Sequence, residues 1–170
     1  MDIRTAQSRA GDAEAAMSEL CAGLGLSDRP QPDFVALHFA VGLDGGALAR
    51  AGRAVFGDAA LHGGSSCLGV MGSDGIRLDG SGSGAFALWD PEGSYGTASA
   101  GFGDEDAQGV ARKAVLAALD RAGRPGELPD MVWVTASPGR EEAVLAGLRS
   151  VLGSETLIVG GSAADNDISG

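Results

Sequence analysis

Basic residues, cysteines and long apolar runs are all scarce in this 170-residue chain, and each shortage removes a class of function. Twelve Lys and Arg stand against 23 Asp and Glu, a net charge of −11. Binding to a polyanion needs clustered cations, so nucleic acid is excluded as a partner. No stretch approaches the roughly 20 apolar residues that span a bilayer, and the start MDIRTAQSRAGDAEAAM lacks the apolar core of a signal peptide. A cytoplasmic protein without a membrane partner is the expectation. Cys21 and Cys67 are too few for a disulfide framework, and no CxxC pair is present, so no structural metal site is expected.

What is abundant is glycine, 29 residues without a triplet period, set among well-patterned segments. That distribution marks many tight turns rather than low complexity. The 44% apolar content is enough for one domain with a core. Helices are expected over Gly11 to Gly25, Asp44 to Gly57, Asp104 to about Ala122 and Arg140 to Leu152. Strands are expected at DFVALHFA (33–40), AALHGG (59–64), MVWVTA (131–136) and TLIVGG (156–161). GIRLDG (75–80) and GAFALWD (84–90), joined by SGS, read as a β-hairpin, and SYGTASAGF (94–102) as a further strand.

This series of elements repeats. Laying 33–65 on 130–162 without a gap gives eight identities: Asp33/Asp130, Val35/Val132, Gly42/Gly139, Leu48/Leu145, Ala49/Ala146, Gly63/Gly160, Gly64/Gly161 and Ser65/Ser162. TAQSRAGDAEAA (5–16) similarly resembles TASAGFGDEDAQ (97–108). The expected fold is therefore α/β: two duplicated strand-helix-strand-helix-strand units, 1–93 and 94–170, in a single domain with mixed sheets and helices packed on them. In the first unit HGGSSCLG precedes the expected hairpin, whereas VGGSAADNDISG closes the chain, so the second unit is expected to lack its last strands.

These residues carry a family resemblance. GGSAADND after a strand, HGGSSCLG about a hundred residues earlier, the opening TAQS..AGDAEAA and the DFVALHFA strand together resemble the FIST N-terminal domain. The resemblance implies a bacterial sensory domain for signal transduction that binds small ligands such as amino acids and is followed by a FIST C-terminal domain. It also implies signalling partners such as a histidine kinase and, in some members, haem for nitric oxide sensing.

The candidate ligand residues are His62, Gly63, Gly64, Ser65 and Ser66 in the first unit and Gly160, Gly161, Ser162, Asp165 and Asn166 in the second. A βαβ crossover returns the chain parallel, which puts both glycine pairs at carboxyl ends of strands, where open α/β sheets bind ligands. Bare glycine N–H groups, serine hydroxyls and the Asp165-Asn166 acceptors suit a carboxylate together with an amine. No enzymatic activity is expected. The alternatives are a haem sensor using His62 or His38 and a hydrolase using Cys67 or Ser66 as nucleophile. GSGSGAF (80–86) lacks the GK[ST] of a phosphate loop, and the acidic GFGDEDAQG reads as a helix start rather than a calcium site.

Overall fold

The computed structural model describes residues 1–67, 69–72, 75–76 and 80–163. They form two compact units, Met1–Gly93 and Ser94–Ala163. Unit 1 runs β1 (Asp2–Ser8), α1 (Ala13–Leu24), β2 (Phe34–Phe39), α2 (Gly45–Phe56), β3 (Ala60–Ser65), β4 (Met71–Gly72), β5 (Gly75–Ile76) and β6 (Ser83–Trp89). Unit 2 runs α3 (Ala107–Arg121), β7 (Met131–Ala136), α4 (Glu141–Leu152) and β8 (Leu157–Ser162).

The helices begin and end where capping chemistry places them. Asp12 accepts from the Ala15 N–H at 2.9 Å, Asp44 from Ala47 at 2.9 Å and Asp106 from Gly109 at 3.0 Å. Each carboxylate satisfies one of the orphan donors of a first turn. Asp106, not Asp104, thus starts α3. Helix α1 stops at Gly25, whose left-handed backbone (φ 70°) closes the last turn. Its buried stripe of Ala13, Ala16, Met17, Leu20 and Leu24 follows helical periodicity.

That stripe packs with Leu48 and Phe56 of α2 on one face of a four-stranded sheet ordered β1-β6-β2-β3. Val35 and Leu37 of β2, with Ala85, Ala87 and Trp89 of β6, supply the sheet side of this core. Strand β2 pairs in parallel with β3 and antiparallel with β6, which also pairs antiparallel with β1. The hairpin expected over 75–90 does not form. The described part of its first arm, β5, pairs with β4 instead, and β6 lies between β1 and β2 with both edges hydrogen-bonded. The apolar alternation of β6 matches a central strand, and burying Ala85, Ala87 and Trp89 against the helices outweighs the short SGS connection.

In unit 2, α3 and α4 pack on each other, and Val132, Val134 and Ile158 of the parallel pair β7-β8 join the core of Ala111, Val115, Val144, Leu148 and Leu152. Residues 94–102, expected as a strand, have no regular structure. Their counterpart in unit 1, β1, is held by β6, and among the described residues of unit 2 no strand corresponds to β6.

The two parallel pairs share one register. Phe34 faces Ala60 and Met131 faces Leu157, a shift of 97 on both strands, and the shift holds through Phe39↔Ser65 and Ala136↔Ser162. Between the strands the gapless alignment fails. Helices α2 and α4 are each 12 residues long but start at Gly45 and Glu141, 96 apart. Buried Leu48, Gly52 and Phe56 correspond to buried Val144, Leu148 and Leu152, whereas Leu145, aligned with Leu48 in sequence, is 43% exposed. The connection into α4 is one residue shorter and the connection out of it one residue longer. The 96 shift reveals a shared device that the gapless alignment conceals. Arg53 Nη1 donates to the carbonyls of Gly57 (3.0 Å) and Ala59 (2.9 Å). Arg149 Nη1 donates to those of Gly153 (3.0 Å), Ser154 (2.8 Å) and Thr156 (2.8 Å). Each guanidinium ties the end of its helix to the strand that follows.

Candidate functional site

The glycines flagged in sequence lie inside strands rather than in loops after them. Gly63 and Gly160 have φ of 159° and 136°, and a Cβ on either would come within 1.9 Å of the Leu37 carbonyl oxygen or 1.8 Å of that of Val134. Close approach of two backbones therefore requires these two glycines, and it accounts for them without a ligand.

Strand alternation divides the remaining candidates of unit 1. Leu61 packs in the helix-side core with Leu37, so Ser65 shares that face, at the carboxyl end of β3. His62 and Gly64 face the other way, with His38, which pairs with Gly64. His62 is therefore not at the mouth of a cradle containing Ser65. It is instead a neighbour of His38: the ring centroids are 6.3 Å apart at an interplanar angle of 70°. Both rings are half-buried, and burial lowers both pKa values from the usual histidine range. The Gly64 backbone partly opposes this at His38, and the neighbouring His38 adds to it at His62.

Ser66 Oγ donates to the Gly69 carbonyl at 2.5 Å rather than to a base, and Cys67 is half-buried and in no disulfide.

In unit 2 the corresponding corner has a different chemistry. Ser162, at the carboxyl end of β8, donates its hydroxyl to the carboxylate of Glu141 at the start of α4. That bond lowers the Glu141 pKa from the usual glutamate value, helped by the backbone N–H groups of Glu141, Gly139 and Arg140, with desolvation opposing the shift. The corner thus already holds one carboxylate, supplied by the chain itself. Beside it lies an open depression of about 510 Å³ lined by Asp106, Ala107, Gly139, Arg140, Glu141, Glu142 and Ala143. Two helix starts meet there. The start of α3 is capped by Asp106, whereas α4 begins at Arg140 with no side-chain cap. At the shift of 96, Arg140 stands where α2 has its capping Asp44. The Arg140 guanidinium lies 5.3 Å from the centroid of the Phe102 ring, a cation–π contact that holds it over this corner.

Of the sequence candidates, Ser162 adjoins this depression. Gly161 has open space where a side chain would be, and Asp165 and Asn166 lie outside the described residues. Arg140, Glu141 and Glu142 were not singled out in sequence, and Asp106 was read only as part of the acidic helix start GFGDEDAQG. The readable signal was the glycine-arginine-glutamate run at a strand-to-helix junction, an arginine where a cap is expected. Among the described residues, no group of three or more His, Cys, Asp or Glu could hold a metal ion. No helix among them is long and apolar enough to cross a membrane.

Comparison with curated proteins returns no match. The model of the FIST N domain matches residues 33–170, a stretch that includes β2-α2-β3 and β7-α4-β8, and the chain belongs to the FIST N domain family.

Proposed function

We propose that this chain, from a family associated with sensory signal transduction, binds a small amino-acid-like ligand in unit 2, at the depression where α3 and α4 begin. The observation that carries this reading is the replacement of a helix cap by a cation. Where Asp44 satisfies the first turn of α2, Arg140 presents a guanidinium at the start of α4. A ligand carboxylate meets that guanidinium together with the positive end of the helix dipole. A ligand ammonium meets the carboxylates of Asp106, Glu141 and Glu142. The position, at the carboxyl end of a parallel strand pair, is where open α/β sheets take ligands. The reading is non-enzymatic and rests on the charge complementarity of the corner.

Calorimetric titration of the full chain with a panel of free amino acids tests it. At least one should bind saturably at millimolar concentration or below, and Arg140→Ala should weaken it at least tenfold. No saturable binding by any member of the panel, or binding that Arg140→Ala leaves unchanged, sinks the proposal.

A further inference from the structure

The chain has only two histidines, and unit 1 brings both to one face of its sheet, opposite α1 and α2. His38 comes from β2 and His62 from β3, one strand over and offset along the parallel ladder, with ring centroids 6.3 Å apart. Their ladder partners are small. His38 is paired with Gly64 on one side and Gly84 on the other, and His62 with Ala36. A cation held at 2.0–2.1 Å by one nitrogen of each ring sets the two centroids about 5–6 Å apart. The observed separation is close to that value.

We propose that His38 and His62 form a two-imidazole chelate for a divalent late-transition cation, of the Cu2+, Ni2+ or Zn2+ class, on the face of the unit 1 sheet opposite its helices. Imidazole suits these ions, whereas Mg2+ and Ca2+ take oxygen donors. Two further features are consistent with the site. Burial keeps both rings in the neutral form that ligates metal. The hydrogen bond of His38 with the Gly64 backbone is the kind of second contact that fixes the ring orientation of a ligating histidine. Among the described residues no third His, Cys, Asp or Glu completes the set. Unit 2 has no counterpart: at the 97 shift the same positions are Thr135 and Val159.

The test uses the metal-stripped full chain and Cu2+. Because no other imidazole exists in the protein, electron paramagnetic resonance of the wild-type complex should show coupling to two imidazole nitrogens. Zn2+ titration against a chromophoric competitor should give one site. His38→Gln and His62→Gln should each weaken it at least about 100-fold, because losing one arm of a chelate forfeits its effective concentration. The double variant should bind little more weakly than either single one. A spectrum with one imidazole nitrogen or none overturns the proposal, and so does a double variant that binds Zn2+ as the wild type does, since carboxylates would then hold the ion. The spectrum is read on the wild type, so a variant that fails to fold does not spoil the test.

Discussion

Strand pairs β2-β3 and β7-β8 have the same register, the same close approach at a glycine and the same arginine tie at the end of the intervening helix, yet they differ in burial and chemistry. In unit 1, β2 is hydrogen-bonded on both edges and Val35, Ala36 and Leu37 are buried. In unit 2 the sheet has two strands among the described residues, and Met131 and Leu157 are about half exposed. The shared features are backbone features, set by how a parallel pair and its crossover helix fit together. The differing ones are side chains added to that frame. Unit 1 has imidazoles on the face away from its helices and a capped helix start. Unit 2 has Thr135 and Val159 on that face and an arginine at the helix start. One scaffold thus offers two chemically distinct corners.

The largest effect that can test this comparison lies at the shared glycines. Gly63→Ala and Gly160→Ala each drive a methyl group into a carbonyl oxygen of the neighbouring strand. Each should cost about 3 kcal/mol or more in urea unfolding. If one unit tolerates the change while the other does not, the common backbone geometry fails as the reason for the identity.

A smaller effect separates the two alignments of the helices. Leu48→Ala removes a fully buried side chain and should cost about 2–5 kcal/mol. Under the one-residue shift its counterpart is Val144, whose truncation should cost about 1–3 kcal/mol. Leu145→Ala, at a position 43% exposed, should stay within about 0.5 kcal/mol. Thermal unfolding of the three variants decides between them, and a Leu145 effect as large as that of Leu48 would restore the gapless alignment.

The smallest expected effect concerns the carboxylate corner found only in unit 2. A glutamate whose folded pKa is lowered contributes stability that is present above the ordinary glutamate value and is lost as pH falls through the lowered one. Ser162→Ala removes the leading cause, so the Glu141 midpoint followed by carboxyl NMR should move up toward the ordinary value. An unmoved midpoint would assign the shift to the N–H groups at the start of α4.

Much of the frame was legible from local pattern. Asp12 and Gly25 bracket α1 by capping chemistry, and the apolar runs of β2, β7 and β8 stop within a residue or two of where strands stop. The pairing of 75–90 was not legible, because a glycine-serine connection between two apolar runs is compatible with a hairpin and equally with two strands in different sheets. Residues 94–102 have strand-like composition, and in the structure no partner strand makes them one. Candidate-site residues chosen by proximity in sequence were then split by strand alternation, which sends Ser65 and His62 to opposite faces.

The sequence alone determined the four helices, the strands β2, β3, β7 and β8 and their parallel crossovers, because these follow from hydrogen-bond valence, capping and periodicity; which glycines a close strand approach requires came from the tertiary structure. Only the tertiary structure decided that β6 joins β2, that α4 is displaced by one residue against its twin, and that His38 meets His62 while Arg140 stands over Phe102. Those outcomes depend on which surfaces bury each other across many residues of chain, and no local pattern encodes that choice.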